Sequence, residues 1–283
     1  MQTYGDILIE TRRALRGAGI DAAELEARII VEHSARLSRA EFEQKRGKFP
    51  PDGKFERAVL ANLARRLAGE PLAYITGEWE FYSLPIYVTR DTLIPRADTE
   101  RLAERAITLL RGVDNPRVLD LCCGSGCVGL AIAANLRGAH VILVDAYTAA
   151  LDVARRNVQR LGFARRVSCV ETDALASPPA LGTFDMIVCN PPYIESDEIP
   201  TLDASVRDFE PHTALDGGTD GLAFYRAITE KWSVLLAPRG RLVFEVGMGQ
   251  SLAVAAILGD CGFKDVSVTR DYNGIERVVD GTR

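Results

Sequence analysis

Residues 118–126 have the sequence VLDLCCGSG, in which a short apolar run is followed by a loop with two glycines. A helical pattern begins at about Cys127. Short apolar runs bounded by turn formers predict buried strands. Glycine allows a ligand to approach the backbone closely, and the first turn of a helix has free N–H groups. The stretch therefore predicts a strand, a ligand-binding turn and a helix, as in an α/β fold.

Strands and helices alternate through the rest of the chain. The strand at the glycine loop covers 117–121, and further strands are predicted at 141–145, 167–171, 184–189, 241–246, 266–270 and 276–279. Helices are predicted at 149–161, 222–236 and 251–261. Such alternation predicts a mostly parallel sheet with helices on both faces. The Asn273-Gly274 turn predicts that the last two strands form an antiparallel hairpin at one end of the sheet.

Residues 1–70 are predicted to form a small helical bundle. Helical spacing indicates a first helix over 6–16. Residues 21–24 resemble a capping box that starts the next helix. The inner face of this helix is predicted to contain Leu25, Ile29 and Ile30. Residues 38–41 are predicted to open a short third helix. A fourth helix has the apolar stripe Phe55, Val59, Leu63 and Leu67.

Residues 71–97 are predicted to connect this bundle to the α/β domain. Residues 78–82 and 86–88 are rich in aromatic and β-branched side chains and are separated by a Ser-Leu-Pro turn, which predicts a β-hairpin. A loop follows at 93–96, and Asp98 is predicted to cap the next helix. The α/β domain then covers 98–283.

The composition restricts the possible partners and compartment. The net charge of −5 and the pI near 5.4 argue against a broad nucleic-acid surface, which would be basic. No run approaches the roughly 18 apolar residues of a membrane span, and the segment after Met1 lacks the regions of a signal peptide. The six cysteines lie in mostly apolar contexts, which is typical of reduced thiols. We therefore expect a cytoplasmic protein without membrane or nucleic-acid partners, and we expect a monomer.

Three of the cysteines lie close together in the sequence, Cys122, Cys123 and Cys127. They lack the paired C-x-x-C spacing of zinc sites. Free cysteine behaves as a small apolar residue, so a packing role is favoured and no metal is expected.

Two carboxylates limit the ligand that the glycine loop can bind. Residues 124–129 satisfy the G-x-G-x-x-G pattern of dinucleotide-binding folds, with an acid about 20 residues later. Asp120, beside the glycines, would repel a pyrophosphate but suits an ammonium group. Asp145 ends the next strand, where a carboxylate can accept both hydroxyls of a ribose. The residues favour S-adenosylmethionine, which has an ammonium and a ribose but no phosphate, over a dinucleotide or a purely structural turn.

Thr172-Asp173 ends the third strand. Asp173 is in position to bind an adenine amino group or to cap the next turn. The local sequence leaves both interpretations open.

The sequence Asn190-Pro191-Pro192-Tyr193 follows the strand at 184–189. Ligands of open α/β sheets bind at the carboxyl ends of the strands. The Asn190 amide oxygen can accept an N–H, and the two prolines have no N–H of their own, so their carbonyls stay free. Tyr193 offers a flat face for a planar group or a cation. These four residues suit a planar –NH2 group beside a positively charged donor.

Together these stretches resemble the class I methyltransferases, and residues 190–193 match the signature of enzymes that methylate amino groups. Three further stretches narrow the resemblance: GEWEFY at 77–82, LIPRADTE at 93–100 and FEPHTALDGG at 209–218. With them the chain resembles the HemK/PrmC family, the glutamine-N5 methyltransferases of peptide-chain release factors, over nearly its whole length. The resemblance implies a Rossmann-like, mostly parallel seven-stranded sheet, with the N-terminal bundle and the hairpin added.

The resemblance also implies the cofactor and the site. The cofactor is S-adenosylmethionine, and the implied cofactor-binding residues are Asp120, Cys122, Cys123, Gly124, Ser125, Gly126, Asp145, Asp173, Ala174 and Asn190. The implied catalytic and substrate-binding residues are Asn190, Pro191, Pro192 and Tyr193. Two positions depart from the pattern, since the family often has Gly-Thr at 122–123 and an aromatic residue at 174.

The implied reaction is methyl transfer to a glutamine side-chain nitrogen of release factors, which affects translation termination. Residues 1–70 would recognise this protein substrate, 71–97 would connect and 98–283 would catalyse. Alternatives are a DNA or RNA amino-group methyltransferase, a cofactor-binding protein without catalysis and a nicotinamide dehydrogenase. The acidic charge argues against the first, and the intact motif at 190–193 argues against the second.

Overall fold

The computed structural model describes residues 2–283, so Met1, with which the predicted bundle begins, lies outside it. The chain forms two compact units, which divide between Gly77 and Glu78. Among the described residues, no helix is long and apolar enough to cross a membrane.

Residues 2–77 of the first unit form five helices: α1 (Tyr4–Gly17), α2 (Ala23–Ala35), α3 (Arg39–Lys45), α4 (Lys54–Leu67) and α5 (Leu72–Thr76). Its own core includes the fully buried Leu15, Ile30 and Phe42. Residues 71–77, which the sequence assigned to the connector, belong to this unit as the turn of α5. The division of the chain into recognition, connecting and catalytic parts stays a prediction.

Capping explains where the helices of this unit begin. Capping boxes join Ser38 to Glu41 at α3, which confirms the predicted third helix, and Thr3 to Asp6 at α1. The capping box predicted at 21–24 is wrong, because α2 begins at Ala23 without a side-chain cap.

The inner face of α2 also differs from the prediction. Leu25 is 48% exposed, whereas Ala23, Ala27, Ile30 and Val31 face the core. The small side chain of Ala27 is fully buried, so the buried face includes alanines and leaves the larger Leu25 outside. The end of the predicted α4 stripe is exposed as well, at Leu67.

The second unit begins with the predicted hairpin, β1 (Glu78–Phe81) and β2 (Leu84–Tyr87), which pair antiparallel. Seven more strands form one sheet: β3 (Arg117–Leu121), β4 (His140–Asp145), β5 (Val167–Glu171), β6 (Phe184–Cys189), β7 (Leu236–Glu245), β8 (Lys264–Arg270) and β9 (Glu276–Thr282). The helices are α6 (Thr99–Leu109), α7 (Cys127–Asn135), α8 (Thr148–Arg160), α9 (Ala204–Arg207), α10 (Ala223–Ala227) and α11 (Ser251–Asp260).

The strand order in the sheet is β5-β4-β3-β6-β7-β9-β8. The pairs from β5 to β7 are parallel, and β9 is antiparallel to both β7 and β8. The predicted Rossmann-like, mostly parallel seven-stranded sheet is confirmed, including the terminal hairpin. The core of this unit contains large buried side chains such as Phe184, Tyr225, Trp232 and Phe244.

Two local predictions fail in this unit. The helix predicted over 222–236 is α10 followed by a π-helical turn at Ile228–Trp232 and a 3-10 turn at Ser233–Leu235. Trp232 is fully buried and donates its indole N–H to Ala174 O at 2.9 Å, so tertiary anchoring overrides the regular helical spacing. Asp98 precedes α6 without a capping bond and pairs instead with Arg277 at 3.0 Å.

Candidate functional site

The strand order reverses at β3, which lies between β4 and β6. In open α/β sheets the crevice at such a switch point binds ligands, at the carboxyl ends of the strands. A cleft is present there. It is lined by ten of the predicted site residues: Asp120, Cys122, Cys123, Gly124, Ser125, Asp145, Asp173, Ala174, Asn190 and Pro192. The other three, Gly126, Pro191 and Tyr193, are not among the lining residues.

The two loop glycines serve different purposes. Gly124 has a φ of 51°, and a side chain added there would meet no heavy atom within 4 Å, so a ligand can approach its backbone. Gly126 has a φ of 78°, and a Cβ atom there would lie 2.8 Å from Leu143 Cδ1. Gly126 therefore allows α7 to pack against β4 and lies away from the cleft.

Asp120 is a buried carboxyl group beneath the glycine loop, 2% exposed. Its Oδ2 accepts the Gly129 N–H at 2.8 Å, in the first turn of α7. Burial raises its pKa to about 7, and the nearby charge of Asp145 acts in the same direction, while the Gly129 hydrogen bond opposes both. A cation in the cleft would favour the charged form of this group.

Asp145 at the end of β4 is held in one orientation by two backbone groups. Oδ2 accepts the Gly124 N–H at 2.9 Å, and Oδ1 accepts the Tyr147 N–H at 3.1 Å. Burial raises the pKa of Asp145, and these hydrogen bonds lower it. Because a carboxylate has about four acceptor positions, both oxygens can still accept hydroxyl groups from a ligand.

The loop after β5 contributes Asp173 and Ala174. Asp173 Oδ1 accepts the Leu175 N–H at 2.8 Å, so the turn-capping interpretation describes what this side chain does in the structure. Ala174 is buried and supports the cleft from the core, where its carbonyl accepts the Trp232 indole N–H. Binding of adenine by Asp173 stays a prediction.

Asn190 follows β6 and lines the cleft. Its Nδ2 donates to Thr99 Oγ1 at 3.3 Å. Since the amide nitrogen is engaged, the amide oxygen is the atom that remains for an incoming N–H. Tyr193 is mostly buried and packs against the core, and burial raises its pKa. Its predicted stacking on a planar substrate group stays a prediction.

Backbone contacts hold the loop at 190–193 in place. Gln250 Nε2 donates to the Tyr193 carbonyl at 2.9 Å. A Cβ atom on Gly217 would lie 2.7 Å from Tyr193 Cα, and one on Gly221 would lie 2.4 Å from Tyr193 O. The backbone after β6 thus packs directly on the segment 217–221, which only glycine allows at these two positions.

The stretches at 93–100 and 209–218 contact each other. Glu210 is buried, accepts the Ile94 N–H at 3.3 Å and forms an ion pair with Arg96. Residues 92, 93, 95 and 99 line one side of the cleft, and residues 213 and 214 line another. These two stretches therefore form walls of the cleft around the loop at 190–193.

Two family models match the chain. The one described as PrmC N-terminal domain matches residues 6–77, and the one described as methyltransferase small domain matches residues 103–205. A release factor glutamine methyltransferase of Bradyrhizobium diazoefficiens is 39% identical, over 94% of this chain and 90% of the relative. That of Geobacter sulfurreducens is 39% identical, over 99% and 96%. The chain belongs to the release factor glutamine methyltransferase family.

This membership confirms the resemblance to the HemK/PrmC family. A solved structure, the human methyltransferase 10 domain containing protein, is 18% identical and covers 71% of this chain and 90% of its own. Its TM-score of 0.51 supports the methyltransferase fold.

Within this family fold, the two departures of the cofactor loop have a structural explanation. Cys122 has a φ of 54°, in the left-handed region that glycine adopts without strain, so its strained backbone marks the position where glycine is frequent. At position 174 the alanine is buried in the core, and the aromatic side chains that line the cleft are Tyr147 and Phe224.

The sequence analysis missed several lining residues, among them Thr99, Tyr147 and Phe224. Tyr147 could have been found, because it lies two residues after Asp145 on the loop that follows β4. Thr99 and Phe224 come from helices whose placement over the strand ends has no local signal.

Proposed function

We propose that this protein transfers a methyl group from S-adenosylmethionine to the side-chain amide nitrogen of a glutamine in peptide-chain release factors. The observation that carries the proposal is Asn190 at the switch-point cleft, with its amide nitrogen held by Thr99 and its oxygen left for the acceptor. Family membership supports the substrate. A release-factor substrate also supports a cytoplasmic location, and we retain the monomeric state without direct nucleic-acid binding as part of the proposal.

The residues of the cleft fit S-adenosylmethionine. Because a Cβ on Gly124 would meet no heavy atom within 4 Å, a ligand can approach the backbone there. The Asp145 carboxylate, which is held by the Gly124 N–H, would accept hydrogen bonds from the ribose hydroxyls. Asp120 would provide a negative charge for the ammonium group, and Asp173 and Ala174, which line the same cleft, would contact the adenine. Gly126 acts only through the packing of α7. When bound, the cofactor supplies a strongly electrophilic sulfonium methyl group.

The chain's own contribution is to position the acceptor. An amide nitrogen is a poor nucleophile because its lone pair is delocalised. The Asn190 amide oxygen and the Pro191 carbonyl would each accept one hydrogen of the glutamine –NH2 group. Two acceptors fix the direction of the nitrogen, and positioning of this kind contributes up to roughly 7–11 kcal/mol of a barrier. They also stabilise the positive charge that develops on the nitrogen.

Selectivity for the group follows from the same two acceptors. Only a planar –NH2 donor satisfies both at once, and a hydroxyl would leave one buried acceptor unpaired. Pro192 and Tyr193 would pack against the amide plane. Selectivity for the whole protein substrate would come from the helical unit and the hairpin.

Methyl transfer from labelled cofactor to an intact release factor and to duplex DNA tests the proposal. We expect label on the release factor, at a glutamine, and none on DNA. Asn190→Ala should abolish turnover while the cofactor stays bound, since the donor is held elsewhere in the cleft. A matched control is Asn135→Ala, because the Asn135 side chain donates to Ala131 O within α7 and does not line the cleft as described for residues 2–283. Label on DNA alone, or an active Asn190→Ala variant, would refute the proposal.

A further inference from the structure

Two buried polar side chains lie next to the Asn190 side chain. Thr99 is the first residue of α6 and is 2% exposed. Glu245 is the last residue of β7 and is 3% exposed. Thr99 accepts the Asn190 amide N–H at 3.3 Å, and both Thr99 and Asn190 interact with the Glu245 carboxyl group. The methyl-transfer mechanism above uses Thr99 only as the partner of the Asn190 amide nitrogen and does not use Glu245.

Glu245 is an unusual group to bury at this position. Its Oε2 has no partner at hydrogen-bond distance among residues 2–283, so the interactions of Thr99 and Asn190 with the carboxyl group do not satisfy that oxygen. Burial is the largest influence and raises the pKa of Glu245 to about 7, whereas Thr99, Arg277 and Asn190 lower it. A buried acid with an unsatisfied oxygen costs stability, so its presence calls for a functional reason.

The other charged or titratable groups around Glu245 come from several elements. Arg277 of β9 favours the charged carboxylate, and Asp98, before α6, disfavours it. The carboxylate in turn raises the pKa of Tyr193, Tyr225 and Cys127, in each case after burial as the larger cause.

The donor and acceptor groups of Glu245, Thr99 and Asn190 determine which side chain donates in each hydrogen bond. When Glu245 is ionised, its carboxylate only accepts, so the Thr99 hydroxyl, which lowers the pKa of Glu245, would donate toward it. The hydroxyl oxygen then accepts from Asn190, which must present its –NH2 end to Thr99. An Asn190 amide turned the other way would place its oxygen against a hydroxyl whose proton is directed elsewhere.

We propose that Thr99 and Glu245 are positioning residues, which keep the Asn190 amide turned so that its oxygen faces the glutamine –NH2 group. This inference rests on the proposed function and adds to it the device that selects the amide orientation. If the Asn190 amide were turned, its –NH2 group would face the –NH2 group of the substrate glutamine. The glutamine nitrogen would then lose one of the two oxygen atoms that accept its hydrogens. The effect should appear mainly in turnover, because the cofactor would be held mainly by the glycine loop and Asp145.

The first test replaces the Thr99 hydroxyl. Thr99→Val keeps the shape but removes the hydrogen bonds, and Thr99→Ser restores them. We expect kcat of Thr99→Val on a glutamine peptide to fall at least about tenfold, as for the loss of one oriented hydrogen bond. Its Kd for the cofactor product, measured by calorimetry, should be unchanged, and Thr99→Ser should recover most of the rate.

Thr229→Val is the matched control. Thr229 is also a fully buried threonine of the second unit, its Oγ1 has no hydrogen-bond partner among the described residues, and it does not line the cleft. The same chemical change there should leave kcat unaltered. Equal rate losses in Thr99→Val and Thr229→Val would overturn the inference, as would a Thr99→Val variant with the wild-type rate.

The second test uses the titration of Glu245. With a pKa of about 7, Glu245 is protonated below neutral pH, where it can donate and no longer fixes the direction of Thr99. Wild-type kcat at saturating substrates should therefore rise as the pH increases through about 7. Glu245→Gln should be slow throughout and lack this rise. Asp120 has a pKa in the same range. Its titration should change kcat/KM for the cofactor, and this pH dependence should remain in Glu245→Gln.

The outcomes separate this inference from the proposed function. If the wild-type protein fails to methylate any glutamine substrate, the proposed function is wrong. If the wild type is active while Thr99→Val matches it and Glu245→Gln keeps the pH profile, only the positioning role is wrong. Should Glu245→Gln fail to fold, the two Thr99 variants and the Thr229 control still decide the question.

Discussion

At the scale of single residues, the cleft combines side chains fixed by backbone bonds with side chains fixed by other side chains. Asp145 is held by two N–H groups from its own neighbourhood, Gly124 and Tyr147. Asn190 is held by Thr99, 91 positions away in sequence. The donor side of the site is therefore built from local turns, whereas the acceptor side depends on the packing of distant elements.

Asp145→Ala should weaken cofactor binding at least tenfold. The change removes the carboxylate from the ribose position, and hydrogen bonds to charged groups are each worth about 1.5–3 kcal/mol. Calorimetric titration measures the effect. Asp152→Ala is the control, since Asp152 is an exposed residue of α8 that forms an ion pair with Arg155. Equal affinity of Asp145→Ala and the control would remove Asp145 from the site.

At the scale of elements, the conformation of the loop after β6 depends on glycines whose role is not evident from the sequence. Gly217 lies within the stretch 209–218 that supports the family resemblance, and Gly221 lies three residues after it. In the structure both glycines pack against the backbone of Tyr193, where a side chain would not fit. Gln250, the residue before α11, donates its side-chain N–H to the Tyr193 carbonyl at 2.9 Å.

Gly221→Ala tests this support. The added Cβ would lie 2.4 Å from Tyr193 O, so the loop at 190–193 must shift and turnover should fall more than tenfold, as expected when reacting groups are misplaced by about 1 Å. Gly162→Ala is matched in backbone strain, with a φ of 76° against 66°, but its Cβ meets nothing within 4 Å. The left-handed backbone alone should cost each variant about 1 kcal/mol of stability, and the steric overlap adds to this cost in Gly221→Ala only. A comparable loss of turnover in Gly162→Ala would contradict the steric explanation.

The elements also explain how much the sequence could predict. Asp120, Asp145 and Asn190 were predictable because each lies at or near the carboxyl end of a strand, and parallel strands bring those ends to one edge. Thr99 and Glu245 were not, because their proximity to Asn190 depends on α6 and on the pairing of β7 with β6. The π-helical turn at 228–232 was missed for the same reason, since the anchoring of Trp232 is tertiary.

At the scale of the whole molecule, two buried acids connect the site to stability. Burial raises the pKa of Asp120 and of Glu245 to about 7, from unfolded values near 4. Between these values the folded protein binds more protons than the unfolded chain, so the free energy of unfolding falls as the pH rises. Each carboxyl contributes at most about 1.4 kcal/mol per pH unit. The proposed site thus reduces stability at neutral pH.

Denaturant unfolding of the cofactor-free protein between pH 5 and pH 8 measures this dependence. We expect stability to decrease across the range. Asp120→Asn and Glu245→Gln should each flatten the decrease, because neither replacement titrates. The exposed acids with lowered pKa, such as Asp208 and Asp220, change stability only at lower pH and serve as an internal contrast. If Asp120→Asn and Glu245→Gln had the same pH dependence of stability as the wild type, the two acids would not titrate as described.

The helical unit and the α/β unit have separate cores, which makes their roles separable by truncation. The residues that line the cleft all lie between 91 and 224, so none comes from the first unit. A chain that begins at Glu78 should therefore still bind S-adenosylmethionine. It should lose activity on an intact release factor far more than on a short glutamine peptide at high concentration, because only the large substrate extends beyond the cleft. Steady-state kinetics of the full-length and shortened chains on both substrates decide this. An equal loss on peptide and on whole protein would mean that residues 1–77 support the fold of the catalytic unit and do not recognise the release factor.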